Sequence, residues 1–420
     1  MLEPQSTVLF ILLMAVFCAL LVWVALAKEP VFRVFAASLA FVPAMLFGVA
    51  AVNKYYDYYR TWSSLAADLG GGGVASAAQV TGKATQQRVA KVLGQQVKVS
   101  NALTQGETAR LTITGPVSHI ARTVYVFLPP QYFQPKYAKY HFPVIELIPG
   151  FPGEPQDWIN VVGITDTYLT LLNDGVVQPA VLVMPDANGG PQVSLQCLNV
   201  VHGPQDATFL ADDIPHELAG LIRVQPAGQA WGIAGYSEGG YCAANLALVY
   251  PGRFGYAAVL SGYFKPYPDQ IGTPPHIINP FRGSLSLEKK NTPMDRVRAL
   301  PLALPLPRFW LGAGSANRND VRNAEAFQRL LLVRQPNVSL SIARGGGHNM
   351  TTWRALVPPM LEWLTPRLSE AALHPAPAGK ASPAPSPSSG TRRGTPKPHQ
   401  RASASPKAGL RYPASHRRVV

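Results

Sequence analysis

A serine in a glycine-flanked turn is the strongest chemical signal in this sequence. Residues 235–239 read Gly-Tyr-Ser-Glu-Gly, a Gly-x-Ser-x-Gly pattern that places Ser237 on a sharp turn between a strand and a helix. An apolar run at residues 230–234 precedes the turn, and residues 238–250 continue as a helix-like segment that ends before Pro251. Because a serine hydroxyl needs a neighbouring base to remove its proton, Ser237 predicts a catalytic base elsewhere in the chain.

A histidine late in the chain is the expected base. His348 follows three glycines and the apolar run at residues 338–342, which puts it on a loop after a predicted strand. The acid that orients this histidine should lie between Ser237 and His348. Asp320 is our candidate because it follows the predicted strand at residues 308–311, although its place at a helix start also suits a capping role. The alternative carboxylates for this position are Glu325 and Asp295.

Two backbone N–H groups are expected to stabilise the negative charge that develops when a serine attacks a carbonyl group. One is the N–H of Glu238, which directly follows the nucleophile. The other comes from residues 149–153, Pro-Gly-Phe-Pro-Gly, after the predicted strand at residues 142–148. Because Pro152 has no N–H, the expected second donor is Phe151.

Apolar runs that end in turn residues alternate with helix-like stretches over residues 108–367. The runs lie at residues 122–128, 142–148, 180–184, 230–234, 256–260, 308–311 and 338–342. This alternation is typical of a mostly parallel sheet with helices on both faces. Functional side chains collect at the carboxyl ends of the strands in such sheets, and Ser237, Asp320 and His348 all follow predicted strands. The sequence therefore predicts an α/β fold for this catalytic domain.

Four motifs resemble the esterase family of α/β-hydrolases that includes S-formylglutathione hydrolases, feruloyl esterases and the mycolyltransferases of actinobacterial envelopes. They are Val-Tyr-Val-Phe-Leu-Pro-Pro at 124–130, Leu-Ile-Pro-Gly-Phe-Pro-Gly at 147–153, Gly-Tyr-Ser-Glu-Gly-Gly at 235–240 and Gly-Gly-His-Asn at 346–349. The resemblance implies the α/β-hydrolase fold, with Ser237 as nucleophile, His348 as its histidine and Phe151 as an oxyanion donor. Asp320 matches the family's acid in place but not residue by residue.

The three cysteines do not indicate a metal site, since none lies in a pattern with zinc-ligand spacing. We expect neither a metal ion nor a cofactor. Cys18 lies in an apolar N-terminal run, whereas Cys197 and Cys242 are either separate buried thiols or a disulfide that an oxidising compartment would permit. Some membrane-tethered members of the family look similar in the placing of two cysteines around the serine turn, and this similarity favours the disulfide.

Two apolar stretches near the N-terminus predict a membrane-spanning helical hairpin within residues 1–60. Residues 8–27 are uncharged and long enough to cross a bilayer, and residues 34–52 form a second stretch. A cleaved signal peptide is the alternative for the first stretch, but no basic residue precedes it. The basic turn residues Lys28 and Arg33 favour a cytoplasmic turn and an extracytoplasmic catalytic domain.

The basic charge is concentrated at the C-terminus. The net charge is +14, and nine Lys or Arg residues but no Asp or Glu occur from Leu373 to the end. The Pro- and Ser-rich composition predicts a disordered tail over residues 368–420, and residues 61–107 are read as a spacer. No nucleic-acid motif occurs in the body, so we expect no nucleic-acid partner. The tail is expected either to contact anionic cell-wall polymer or lipid headgroups or to remain solvated.

These observations predict a membrane-anchored, extracytoplasmic serine esterase that cleaves an acyl ester through Ser237, His348 and Asp320. An acyltransferase that passes the acyl group to a sugar or cell-wall hydroxyl would use the same residues. A catalytically silent wall-binding protein that retains the fold is a third hypothesis.

Overall fold

The computed structural model describes residues 3–69, 99–273 and 276–374. Most of the predicted spacer and nearly all of the predicted C-terminal tail lie outside the described residues, and so does the expected contact of that tail with cell-wall polymer. The described residues form a mixed sheet with helices on both faces, preceded by two long apolar helices.

Eight of the ten strands found in the described residues form one mostly parallel sheet. The strands, β1 to β10 along the chain, are Glu107–Thr114, Ala121–Leu128, Val144–Ile148, Val181–Pro185, Gly228–Tyr236, Phe254–Leu260, Gly272–Thr273, His276–Ile277, Arg308–Gly314 and Ser339–Ala343. The order in the sheet is β1-β2-β4-β3-β5-β6-β9-β10, and β7 pairs with β8 separately. β2 runs antiparallel to both β1 and β4, whereas all other neighbours in the sheet are parallel. The predicted α/β fold is confirmed.

The helices cover both faces of this sheet. In chain order, α1 to α14 are Thr7–Leu26, Pro30–Tyr56, Trp62–Leu69, Val99–Gln105, Pro130–Phe133, Asp157–Asn160, Ile164–Asn173, Asp206–Thr208, Ile214–Leu221, Glu238–Val249, Leu285–Lys290, Pro293–Ala299, Arg318–Leu332 and Met350–Leu373. One apolar core contains residues of α9, α10 and α13, and the other contains residues of α7 and α14. In β3, Val144 and Ile148 belong to the first core, whereas Ile145 and Leu147 belong to the second, as the alternation of side chains along a strand requires.

The last helix extends past the predicted start of the C-terminal tail. The sequence predicts a disordered tail from residue 368, but α14 continues through Leu373. Leu368 and Ala372 are buried, and Leu368 lies over Gly232 of β5. The helix continues because its apolar face still has a sheet to cover.

The N-terminal helices form an antiparallel pair. Phe10 of α1 lies edge-on to Phe47 of α2, and Trp23 lies edge-on to Phe35. With 20 and 27 residues, α1 and α2 are long and apolar enough to cross a membrane. The predicted pair of apolar helices is therefore confirmed, and Pro43 lies inside the second of them.

The residues directly after α2 attach this pair to the eight-stranded sheet and its helices, the predicted catalytic unit. Asp57 ends α2 with a positive φ of 52°, and its carboxylate accepts a hydrogen bond from Arg354 of α14 at 2.7 Å. Arg354 also donates to the backbone carbonyls of Asp57 and Tyr58, both at 3.0 Å. The Tyr58 hydroxyl donates to Asp157 at 2.5 Å. The hairpin therefore contacts the catalytic unit before the segment predicted as a spacer begins.

One carboxyl group contradicts the apolar pattern of the central strands. Glu146 lies in β3, is 0% exposed, and has no hydrogen-bond partner among the described residues. Burial raises the pKa of its carboxyl well above the usual range, since a charge there would lose its hydration. Folding therefore favours the protonated form of the Glu146 carboxyl.

Glu146→Gln is expected to raise the melting temperature more at about pH 8 than at about pH 5. The folded parent keeps a proton that the unfolded chain releases above about pH 4.3, so its free energy of unfolding falls as the pH rises. The amide removes this titration and keeps the polarity. Thermal melts of the full chain in detergent check the prediction, and an equal difference at both pH values would contradict it.

Candidate active site

Ser237 lies between the end of β5 and the start of α10. Its backbone has φ 56° and ψ −120°, a region that residues with a side chain rarely adopt. The Ser237 N–H donates to the carbonyl of Leu260 in β6 at 2.9 Å, which ties the turn to the sheet. The turn therefore projects the serine side chain from the carboxyl end of the parallel strands.

The glycines of the serine motif are required by close backbone approaches. A Cβ atom on Gly239 would overlap the carbonyl oxygen of Ile148, and one on Gly235 would overlap the backbone of Gly239. A Cβ on Gly150 would lie 3.2 Å from the Cβ of Ser237. The loop after β3 thus runs directly beside Ser237.

Ser237, His348 and Asp320 form a continuous hydrogen-bonded row. Ser237 Oγ lies 2.9 Å from His348 Nε2, and His348 Nδ1 lies 2.7 Å from Asp320 Oδ2. A carboxylate accepts the Nδ1–H, which leaves Nε2 unprotonated and able to take the serine proton. Ser237 follows β5, His348 follows β10 and Asp320 follows β9. These three strands lie in the same half of the sheet, with only β6 between β5 and β9.

The helix-capping role at the start of α13 belongs to Asn317 rather than to Asp320. The Asn317 side chain accepts hydrogen bonds from the N–H groups of Asn319 and Asp320, at 3.0 and 3.2 Å. Asp320 is only 7% exposed and directs its carboxylate to His348. Asp320 therefore hydrogen-bonds His348, and Asn317 caps the helix.

The two alternative carboxylates lie away from His348. Asp295 pairs with Arg298 at 3.2 Å, and Glu325 pairs with Arg329 at 3.7 Å; the side chains of both pairs are largely exposed. Exposed ion pairs of this kind contribute little to stability. Asp295 and Glu325 are therefore suitable control positions for Asp320.

The two expected oxyanion donors belong to the two backbone segments that flank Ser237. Glu238 is the first residue of α10, and the first N–H groups of a helix have no acceptor within the helix. Phe151 follows Gly150, whose backbone lies beside the Ser237 side chain. The chain thus brings both predicted donor segments to the nucleophile.

The side chain of Glu238 contacts the loop after β4. Its carboxylate accepts hydrogen bonds from Ser194 Oγ at 2.7 Å and Asn188 Nδ2 at 3.1 Å. Burial raises the pKa of Glu238 to about 7, although these hydrogen bonds oppose the shift. These contacts tie the loop after β4 to the turn that carries Ser237, and no local sequence pattern predicts this connection.

A disulfide makes a second connection between the same two segments. Cys197, in the loop after β4, and Cys242 of α10 are bonded, with a Cα–Cα distance of 5.6 Å, and both are buried. Cys18 of α1 is free and exposed. No cluster of metal-binding side chains occurs within the part of the chain that the structure describes.

Two cavities meet at His348. The larger, of about 750 Å³, is mainly apolar and is lined by Ser237 and by residues of α1 and α2. The smaller, of about 360 Å³, contacts the Asp320 side of the histidine. Its walls carry hydroxyl and amide groups, among them those of Tyr263, Tyr267 and Asn323.

Comparison with known proteins assigns the family. The profile of the Esterase family, described as "Putative esterase", matches residues 119–364. The chain belongs to this family. The match spans more than half of the chain and contains Ser237, Asp320 and His348. The predicted resemblance and the prediction of a hydrolase of this family are confirmed.

The curated relatives match only part of their own length. An uncharacterised protein of Corynebacterium glutamicum is 25% identical over 272 residues, which are 63% of this chain and 62% of the relative. The MPT51 antigen of Mycobacterium leprae is 44% identical over 59 residues, 14% of this chain and 19% of the antigen. The chain thus spans less than two thirds of the curated relatives it matches.

Solved structures share the fold. A ferulic acid esterase superposes with a TM-score of 0.53 at 19% identity, covering 63% of this chain and 99% of that chain. An S-formylglutathione hydrolase from Agrobacterium tumefaciens gives a TM-score of 0.51 at 16% identity, covering 63% and 96%. At these identities the likeness shows the α/β-hydrolase fold alone.

Replacing both Cys197 and Cys242 with Ala is expected to lower the free energy of unfolding by about 2–4 kcal/mol. The disulfide closes a loop across a sequence separation of 45 residues, and its removal frees that loop in the unfolded chain. Denaturant unfolding of the full chain in detergent, with and without reductant, measures the change. Reductant should destabilise the parent and the Cys18→Ala control but not the double variant; a parent that does not respond to reductant would refute the prediction.

Proposed function

We propose that this chain is a membrane-anchored serine esterase that cleaves an acyl ester, with Ser237 as nucleophile, His348 as base and Asp320 as the acid that orients it. The hydrogen-bonded row from Ser237 through His348 to Asp320 carries the proposal. Membership of the esterase family supports the same reaction class.

The reaction follows from the row of hydrogen bonds. His348 Nε2 takes the proton of Ser237 Oγ as that oxygen attacks the ester carbonyl carbon, and Asp320 stabilises the imidazolium that forms. The N–H groups of Phe151 and Glu238 donate to the carbonyl oxygen as it becomes negative. The ester C–O bond then breaks, and His348 gives its proton to the leaving alcohol. Water repeats these steps on the acyl-serine and releases the acid.

The apolar hairpin and the disulfide support a membrane anchor with the catalytic unit outside the cytoplasm. The helices α1 and α2 have the length and composition of membrane spans, and the turn between them carries Lys28 and Arg33. A buried Cys197–Cys242 disulfide is typical of an oxidising compartment. Free Cys197 and Cys242 thiols in protein taken from its native cells would contradict this placement.

Acyl transfer is the second candidate function, and the polar cavity favours it. That cavity is lined by His348, whose Nε2 would take the proton of an acceptor hydroxyl as that hydroxyl attacks the acyl-serine. Tyrosine hydroxyls and asparagine amides line it, and these groups suit the hydrogen-bonding pattern of a sugar. An acceptor hydroxyl bound there would attack the acyl-serine in place of water.

Ser237→Ala is expected to reduce hydrolysis of p-nitrophenyl butyrate to background, and Asp320→Asn to lower kcat by about 10⁴-fold, because the amide no longer fixes the required histidine tautomer. Asp295→Asn and Glu325→Gln are the matched controls and should stay within about twofold of the parent, since both positions lie on the surface away from His348.

A fluorophosphonate probe gives a second readout, since it should label Ser237 in the parent and both controls. Hydrolysis that survives Ser237→Ala would refute the nucleophile. Equal activities of Asp320→Asn and its controls would refute the acid. A parent that neither hydrolyses the ester nor reacts with the probe would favour the silent wall-binding hypothesis.

Asn323→Ala is expected to lower the ratio of transfer to hydrolysis severalfold if the polar cavity holds the acceptor, because the acceptor loses a hydrogen-bonding amide. Product analysis with trehalose or arabinan fragments as acceptors measures this ratio. Asn173→Ala, at the exposed end of α7, is the control and should not change the ratio. Hydrolysis alone with every acceptor would exclude transfer.

A further inference from the structure

The apolar cavity connects the nucleophile with the N-terminal hairpin. Its volume is about 750 Å³, and on the catalytic side its walls include Ser237, Phe151 and Trp353. On the hairpin side they include Leu46 and Ala50 of α2. The hairpin is therefore not only an anchor, because its side chains form one wall of the space that opens at Ser237.

This wall follows α2 over about half the thickness of a bilayer's hydrocarbon layer. Leu46 lies ten residues before Tyr56, where α2 ends, and at 1.5 Å per residue this is roughly 15 Å. The hydrocarbon layer is about 30 Å thick. Leu9 and Leu13 of α1 line the same cavity from the antiparallel helix. With α1 and α2 in a bilayer, the cavity extends from Ser237 into the leaflet on the side of the catalytic unit.

The contacts made by the residues after α2 fix the hairpin side of the cavity relative to its catalytic side. Asp57 accepts from Arg354 at 2.7 Å, and Arg354 belongs to α14, the helix that begins next to His348. Tyr58 donates to Asp157, which also accepts from the N–H of Glu154 in the loop that contains Phe151. These hydrogen bonds join the end of the hairpin to both segments that line the catalytic side of the cavity.

We propose that this cavity binds the long acyl chain of a membrane-resident ester, which reaches Ser237 laterally from the bilayer along α1 and α2. The apolar walls favour an alkyl chain, because each methylene group removed from water contributes to binding. The ester carbonyl then lies at Ser237, and the polar part of the lipid extends towards the polar cavity beyond His348. This inference rests on the proposed esterase function and assigns its substrate class.

Ala50→Trp tests the chain-binding role, because Ala50 lines the cavity and an indole there would occupy it. The matched control is Ala44→Trp, since Ala44 is exposed on the same helix and does not line the cavity. For full-length protein in mixed micelles, kcat/KM is measured with p-nitrophenyl palmitate and p-nitrophenyl butyrate. Ala50→Trp should lower the palmitate-to-butyrate ratio by at least about tenfold, whereas Ala44→Trp should leave it unchanged. An unchanged ratio in Ala50→Trp, or an equal loss in Ala44→Trp, would overturn the proposal.

A second measurement does not depend on catalysis. Full-length Ser237→Ala protein in phosphatidylethanolamine–phosphatidylglycerol vesicles is irradiated with nitrophenyl palmitate that carries a diazirine next to its carbonyl end. The label should reach the peptide that contains Met350 and Trp353, which lie on the catalytic side of the cavity. Adding Ala50→Trp should remove this label, and adding Ala44→Trp should retain it.

The two measurements separate failure of the inference from failure of the proposed function. Labelling that depends on Ala50, together with a parent that hydrolyses no ester, would support the binding site and refute the esterase. No labelling at Met350 or Trp353, together with normal butyrate hydrolysis by the parent, would refute the acyl-chain site and leave the esterase in place.

Discussion

The candidate active site depends on close backbone packing around the turn that carries Ser237. The positive φ of 56° holds the serine side chain at the carboxyl end of the sheet, and the turn survives because Gly235 and Gly239 let β5, β3 and α10 approach without side chains between them. Gly150 applies the same constraint from the other side and brings the loop with Phe151 to the nucleophile. The row through His348 to Asp320 depends on this position of the turn, because Ser237 Oγ must lie within hydrogen-bond distance of His348 Nε2.

The turn that carries Ser237 lies between the loop after β4 and the N-terminal hairpin. On the side of the β4 loop, the buried Glu238 carboxylate and the disulfide from Cys242 hold that loop against the turn. On the side of the hairpin, Arg354 and its contacts with Asp57 fix the end of α2 beside α14, the helix that follows His348. We infer that the catalytic unit and the hairpin form one reaction site whose apolar part belongs to both.

Much of this arrangement could be predicted from the sequence, because local patterns determine it. The apolar runs predicted seven strands of the main sheet. The chain order of serine, acid and histidine predicted three residues that the structure brings together. The strand β1 was not predicted: only alternate residues such as Leu111 and Ile113 are buried, so it lacks a continuous apolar run. The partners of Glu238 and the contact of Asp57 with Arg354 join residues far apart in the chain, and no local pattern indicates such contacts. Glu146 is an exception of another kind, since its carboxyl interrupts an otherwise apolar strand.

The central claim is that Ser237 attacks an ester whose acyl chain lies against the hairpin. A structure of the full chain with a hexadecyl phosphonate bonded to Ser237 Oγ tests it most directly. We expect a phosphonate oxygen to accept hydrogen bonds from the N–H groups of Phe151 and Glu238, and the alkyl chain to follow the cavity between Trp353 and Ala50. An alkyl chain directed into the polar cavity near Tyr263 or into solvent, or a phosphonate bonded to another residue, would contradict the claim.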